Sequence, residues 1–349
     1  MYKRFFAFLL CFTFLFCMNA YAAGESISAS CAVAIDKATG TVLYDKNMTS
    51  RASMASTTKI MTCLIACEKL KSEQIVTITS EMLDKTEGSL MYLKVGDEIT
   101  VGDLIKGALL ASGNDAANAL AVAVSGSMSG FVDLMNEYAE KFNMTGSHFQ
   151  TPSGLDSDGH YSCAYDMAVL ASHALDNEYF ASVCSMQSAE IILSDEKQTI
   201  YNHNKLLYKS KNCIGVKTGY TEKSGRCLVS AYDYKGSKII IVTLNAPDDW
   251  NDHKKILDFS KKRYRSYSKC EQISVDVVGG MSDSIVCEAE FDVAYINSVE
   301  TKACFYPILY APVVQGTKVG ILKIYSNKIL IGTVDIIAPE SVTVWQIKK

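Results

Sequence analysis

Apolar residues first alternate with a period of two. Cys31, Val33 and Ile35 take every second position, Ala38-Thr39-Gly40 supplies a turn, and Thr41 to Tyr44 returns, so residues 29–45 are expected to form a hairpin. At Ser56 the period lengthens, and Ile60, Met61, Leu64, Ile65 and Leu70 fall on one face of a helix. Val101 to Ala111 and Ala116 to Val124 predict two more helices, broken by the turn residues Ser112-Gly113-Asn114-Asp115; Asp166 to Leu175 predicts another. After Gly215 the chain becomes extended. Cys227 to Tyr232, a Tyr234-Lys235-Gly236 turn and Lys238 to Leu244 predict an antiparallel pair, with Ile239 to Val242 β-branched throughout. Lys254 to Tyr264 returns to helical period.

Near Lys269-Cys270 the pattern shifts to short strands and turns alone. Ile273, Val275 and Val277 alternate, as do Val319 and Ile321, and a hairpin turns at Ser326-Asn327 before Ile329 to Ile337. The expected organisation is a leader over residues 1–22, a mixed α/β domain over 23–268 and a small all-β domain over 269–349. A chain of 349 residues is long enough for both domains to bury cores.

The leader is read from Lys3 and Arg4, the apolar run Phe5 to Met18 and the small residues of Ala20-Tyr21-Ala22. These predict a secretory signal cut after Ala22 or Ala23, and hence an exported, extracytoplasmic protein of the cell envelope or medium. The run is short for a bilayer span of roughly 20 residues, and Phe16 before Cys17 is too large for lipoprotein processing. Composition is globular, with 48% apolar and 21% charged residues. A net charge of −4 and a pI near 5.8 give no reason to expect a nucleic-acid partner, and no polybasic patch for anionic lipid. Of twelve cysteines, Cys11 and Cys17 leave with the signal and ten are scattered through apolar segments without a C-x-x-C pair, so they are read mostly as buried thiols. The five histidines show neither H-E-x-x-H nor a G-x-S-x-G partner, so metal and Ser-His-Asp chemistry have little support, and no cofactor is expected.

Chemistry is concentrated in three short signatures in one order: Ser56-Thr57-Thr58-Lys59, Ser112-Gly113-Asn114 and Lys217-Thr218-Gly219. Each alone is weak. Roughly one or two S-x-x-K matches arise by chance in such a chain, and Ser194 to Lys197 and Ser266 to Lys269 also fit. Ser56 and Lys59 share a helix face at i, i+3. A serine attacks an acyl group only when a base takes its proton; Lys59 does so only if burial and a second cation, Lys217, keep it neutral. The bland alternative is that Ser56 or Thr57 caps the helix and Lys59 is solvated. Ser112 and Asn114 occupy a turn between two apolar helices, where Ser112 would pass a proton to a leaving amine and Asn114 would hold a substrate carbonyl. Otherwise Asn114 or Asp115 caps a helix. On a strand edge, Lys217 and Thr218 would bind a carboxylate, Gly219 would admit the substrate backbone, and the Tyr220 and Ser56 N–H groups would form an oxyanion hole. Arg226 could add positive charge near Lys217, though a structural role is the commoner one.

At these residues the chain resembles the low-molecular-mass penicillin-binding proteins, specifically serine-type D-alanyl-D-alanine carboxypeptidases. The likeness also takes in Ala34-Ile35-Asp36, Ser89 to Gly96, Pro152 to Asp156 with Gly159-His160-Tyr161, and Gly215 to Tyr220. It implies a transpeptidase-like α/β (α+β) domain with an antiparallel sheet flanked by helices, followed by a C-terminal β domain. It implies Ser56 as nucleophile, Lys59 as base, Ser112 and Asn114 in the cleft, and Lys217 and Thr218 on the substrate carboxylate. Peptidoglycan stem peptides are the implied substrate and β-lactams the implied covalent inhibitors. Two departures stand out: Val344 to Lys349 is too short for the membrane-lying helix that often ends such enzymes, and Ser153 replaces a histidine of some members, at a position expected not to touch the three motifs. A serine β-lactamase and a noncatalytic β-lactam sensor or wall-binding protein remain as alternatives.

Overall fold

A computed structural model describes residues 26–84, 86–305 and 308–345; the expected leader lies outside them. In chain order the elements are β1 (Cys31–Asp36), β2 (Val42–Lys46), α1 (Lys59–Lys69), β3 (Ile75–Thr77), β4 (Glu98–Thr100), α2 (Val101–Leu109), α3 (Asn114–Ser125) and α4 (Met128–Lys141). There follow α5 (Ala164–Ala174), α6 (Glu178–Cys184), β5 (Ser188–Leu193), β6 (Glu196–Tyr201), α7 (Leu206–Lys209), β7 (Cys213–Thr221), β8 (Gly225–Tyr234), β9 (Ser237–Leu244) and α8 (Asp249–Lys261). The remainder is β10 (Arg265–Val278), β11 (Ser284–Tyr295), β12 (Glu300–Phe305), β13 (Leu309–Tyr310), β14 (Lys318–Ser326) and β15 (Ile329–Ile337).

The central sheet is antiparallel, in the order β2-β1-β9-β8-β7. Strand alternation divides its side chains between two cores. Val33, Ile35, Val229, Ile240 and Val242 pack with α1, α2, α3 and α5 on one face. Ala32, Ala34, Leu228, Ile239 and Ile241 pack with Ile256 and Leu257 of α8 on the other. Burial on both faces is why Ile239 to Val242 reads as an unbroken apolar run rather than an alternating one. Each such side chain contributes about 1.5–3 kcal/mol by leaving water.

β7 is the sheet's edge strand, and its exposed backbone edge meets the turn at Ala55–Thr58 that precedes α1. Gly219 makes that meeting possible: a Cβ there would stand 3.0 Å from the Ser56 amide nitrogen and 3.1 Å from the Met54 carbonyl oxygen.

Past α8, two three-stranded sheets, β11-β10-β13 and β12-β14-β15, enclose their own core of Val275, Val277, Cys287, Val319, Leu322 and Ile336. The expected boundary at 268/269 falls inside β10, which pairs with β11 from Arg265 onward. The ten cysteines among the described residues are all unbridged; seven are buried.

Candidate active site

Ser56 sits in the 3₁₀ turn that leads into α1, and neither it nor Thr57 caps the helix. The two threonines instead hold the turn to itself: Thr57 Oγ1 donates to the Met54 carbonyl at 2.6 Å and Thr58 Oγ1 to the Ala55 carbonyl at 2.8 Å. Lys59, one turn on, is fully buried, with its Nζ 2.9 Å from Ser56 Oγ, 2.6 Å from Asn114 Oδ1 and 2.6 Å from the Ser153 carbonyl. Burial, reinforced by the nearby Lys217, holds the Lys59 amine well below the ordinary lysine range, against the opposing pull of Cys63 and Asp115. A neutral amine has two N–H groups and one lone pair. Asn114 Oδ1 and the Ser153 carbonyl can only accept, so they take the two N–H groups and leave the lone pair for the Ser56 hydroxyl.

The Ser153 contact corrects the expectation that this residue stays clear of the motifs: its backbone carbonyl is one of three groups fixing Lys59. The loop that carries it is pressed onto the turn through Gly154, where φ is +85° and a Cβ would overlap the Ala55 carbonyl. His160 braces the same turn. Its Nδ1 accepts from the Gln150 amide at 2.9 Å, which leaves Nε2–H to donate to Thr58 Oγ1 at 2.9 Å, and burial pushes its pKa down to about 4.

Ser112 lies between α2 and α3 with φ of +65°, nearly buried, and lines the cleft beside Ser56. Asn114 begins α3 instead of capping it, because Gly113 is the cap residue. Its Oδ1 goes to Lys59, and Nδ2 donates to the Glu87 carbonyl, which leaves one N–H of the amide unused. Asp115 is no cap either: its carboxylate accepts from the amides of Met91 and Leu93 and so ties the 87–95 segment to α3.

Alternation along β7 separates Lys217 from its neighbours. Lys217 pairs in register with Val229 on the helical face, whereas Thr218 pairs with Leu228 and Tyr220 with Arg226 on the other. Lys217 is consequently only 1% exposed, donates to the Thr218 carbonyl at 3.0 Å, and is brought down to about 7 by burial. It stands behind the cleft wall. The cations that line the cleft are Lys205 and Arg226; the Nη2 of Arg226 reaches both Asp249 carboxylate oxygens at 2.8 and 2.9 Å while its guanidinium lies 5.4 Å from the Trp250 ring centroid. Ser56, Ser112, Thr218, Gly219, Tyr220 and Arg226 line one cavity of about 290 Å³, together with His203, Lys205, Asp249 and Trp250.

The competing S-x-x-K matches go elsewhere. Ser194 and Asp195 form the left-handed turn between β5 and β6, and Ser266 and Lys269 lie on β10, where residues three apart face opposite ways.

The family model for D-alanyl-D-alanine carboxypeptidases (peptidase S11) matches residues 18–248. This chain belongs to that family. It is a serine-type D-alanyl-D-alanine carboxypeptidase. Among curated relatives, the D-alanyl-D-alanine carboxypeptidase DacF of Bacillus subtilis is 33% identical over 84% of this chain and 80% of its own length. Among solved structures, the carboxypeptidase DacD of Francisella tularensis superposes with a TM-score of 0.65 at 25% identity, covering 93% of this chain and 95% of that one. A serine-to-alanine mutant of the Streptomyces K15 DD-transpeptidase gives 0.65 at 31% identity, covering 67% of this chain and 98% of its own. The carboxypeptidase fold thus accounts for both the antiparallel central sheet with its helices and the β unit that follows it.

Proposed function

We propose that the protein removes the terminal D-alanine from D-Ala-D-Ala-ended peptidoglycan stem peptides, outside the cytoplasm, through an acyl-enzyme on Ser56. The reading rests on one observation: a buried Lys59 amine 2.9 Å from Ser56 Oγ, with both its N–H groups claimed by acceptors. Ser56 Oγ bonds to the carbonyl carbon of the penultimate D-alanine as its proton passes to Lys59. The C–N bond to the terminal residue then breaks, and Ser112 hands the proton on to the departing amine. The N–H groups of Ser56 and Tyr220 hold the developing oxyanion, a contribution of about 3–4 kcal/mol. Thr218 and Arg226 grip the substrate's free carboxylate, with Lys217 adding charge from behind when protonated. Asn114 offers its spare N–H to a substrate carbonyl, and Gly219 lets the substrate backbone lie close. Water then attacks the ester, Lys59 again taking the proton, and Ser56 is freed. Removing the terminal residue consumes the donor bond used for cross-linking.

β-Lactams acylate the same serine. Among the described residues no carboxylate is bonded to Ser56 or Lys59, and the loop over Lys59 brings a carbonyl instead, which favours a slow-clearing penicillin adduct over β-lactamase turnover. Incubation with a pentapeptide should release one equivalent of D-alanine, and penicillin treatment should add the drug's mass to the peptide containing Ser56. No D-alanine, or an adduct on another residue, would overturn the reading.

A further inference from the structure

The peptide unit that carries the Ser56 N–H also carries the Ala55 carbonyl. It is planar and trans, so the C=O and the N–H point in opposite directions, and whatever holds the carbonyl aims the amide. The Ala55 carbonyl faces the 150–155 loop, where a Cβ on Gly154 would overlap it at 2.0 Å. The Ser56 nitrogen faces the edge of β7, where a Cβ on Gly219 would come within 3.0 Å of it. This orientation has to be held in place. Ala55 is completely buried with φ of +47°, in the left-handed region that a residue with a Cβ disfavours.

A line of three hydrogen bonds supplies the hold. Thr58 Oγ1 donates its single hydrogen to the Ala55 carbonyl at 2.8 Å, so toward His160 it can only accept. His160 Nε2, 2.9 Å from that oxygen, therefore carries the ring hydrogen, and Nδ1 accepts from the Gln150 amide at 2.9 Å. Burial keeps the ring neutral, as this sense of donation requires. The ring is itself fixed, edge-on to Phe149 at 6.0 Å between centroids, while the His160 amide donates to the Ser157 carbonyl at 3.1 Å. Neither His160 nor Thr58 lines the cleft. The base is held separately: Thr62 Oγ1 donates to the Pro152 carbonyl at 2.6 Å and Lys59 to that of Ser153, so the loop stays on α1 without the His160–Thr58 contact.

We propose that His160 is a positioning residue for the oxyanion hole: through Thr58 it sets the plane of the Ala55–Ser56 peptide and aims the Ser56 N–H at the place where the oxyanion forms. The inference rests on the acyl-enzyme reading above. It gives His160 and Thr58 a role in the transition state, and none in holding the ground-state peptide or in the titration of Lys59.

The test is a cycle of variants in the full chain. In H160N the amide oxygen keeps the Gln150 bond but the side chain falls short of Thr58; in H160Q the longer amide restores the donor to Thr58; T58V deletes the hydroxyl. Rates of D-alanine release from a pentapeptide are referred to the fraction of protein that penicillin labels on Ser56, so unfolded molecules do not count. H160N should lower kcat about tenfold and T58V about thirtyfold, below the hundredfold or more that follows deletion of an oxyanion donor, with KM within about twofold in both. H160Q should stay within about threefold of the wild type. H160N/T58V should be no slower than T58V, because His160 acts only through that hydroxyl. A boronic acid analogue of the substrate, which forms a tetrahedral adduct on Ser56, should lose affinity in the same ratios as kcat, while the acid limb of the pH–rate profile stays where it is. An H160N variant as active as the wild type, losses that multiply in the double variant, or an acid limb that moves would overturn the inference and leave the carboxypeptidase reading intact. A wild type that neither releases D-alanine nor binds the boronate would overturn both.

Discussion

Two pockets in this molecule hold a nitrogen base that burial keeps unprotonated, one on each face of the central sheet. On the helical face, Lys59 is bonded to Ser56. On the other, His253 of α8 lies 2.6 Å from Ser230 Oγ on β8 and 2.9 Å from Thr243 Oγ1 on β9, and burial pushes its pKa down to about 3. By distance and by shift, Ser230–His253 is as good a serine–base pair as Ser56–Lys59. The difference is access. Ser230, Thr243 and His253 are all completely buried, whereas Ser56 is half-buried and lines the cleft. A perturbed base marks chemistry only when its partner hydroxyl faces a space that a substrate can enter.

The largest expected effect breaks that pairing directly. S56A should lower D-alanine release by at least about 10⁴-fold and abolish penicillin labelling. S230A should leave the rate within about twofold, while destabilising the fold by roughly 1–3 kcal/mol because a buried ring nitrogen loses its partner. Comparable activity losses from the two substitutions would erase the distinction between the open pocket and the sealed one.

Next in size is the base itself. K59A should cost about 10³-fold in kcat, and H253Q little. Because Lys59 acts only when neutral, kcat/KM should fall as the pH is lowered through its depressed pKa. Lys217 contributes to that depression by repulsion. K217M should therefore move the acid limb of the profile to higher pH, and a limb that stays still would remove Lys217 from the account of Lys59's reactivity.

The sealed pocket should register in stability instead. His253 takes up a proton near pH 6.5 when unfolded and only near about 3 when folded, so the unfolded chain binds more protons in between. Its stabilising contribution is intact above pH 6.5 and is lost as the pH falls toward 3. At pH 4.5, two units below the unfolded value, the loss should be about 2.7 kcal/mol, at 1.36 kcal/mol per unit. Urea melts of wild type and H253Q at pH 7 and 4.5 would measure it; equal pH dependence in the two proteins would show that the ring is not responsible.

How far the sequence anticipates this arrangement depends on how local each feature is. Ser56 and Lys59 are three residues apart on one helical turn, and the apolar run Ile239 to Val242 is a strand buried on two sides; such features are readable because neighbours in sequence are neighbours in space. The α4 helix was readable too, from Phe131, Met135, Tyr138 and Ala139 on one face, but is absent from the expected elements because it follows a Gly-Ser-rich link. The β5–β6 hairpin is likewise absent from them, and its turn coincides with one of the chance S-x-x-K matches. The Ser153 carbonyl was not readable, since it belongs to a backbone atom 94 residues from Lys59. Nor was the burial of Lys217 behind Thr218. That follows from β7 being the sheet edge, with the Lys217 face turned to α1 and α6, a fact of topology and not of motif.

Arg226 is the intermediate case between the open pocket and the sealed one, and gives the smallest expected effect. Its side chain is 41% exposed, while Asp249, which holds it, is 3% exposed. Both carboxylate oxygens of Asp249 meet the same guanidinium nitrogen, Nη2, with Oδ1 also accepting from the Trp250 amide, so Nη1 and Nε are left to meet a substrate carboxylate. R226A should raise KM about tenfold, with kcat changed less, because the contact is made in the ground state as well as in the transition state. D249N keeps a hydrogen-bond acceptor but removes the charge that aims the guanidinium, so its effect should be the same in kind and only a few-fold in size. If R226A instead lowered kcat and spared KM, Arg226 would act on the reacting bond itself, and the substrate carboxylate would have to be held by Thr218 and Lys205, with Lys217 behind them.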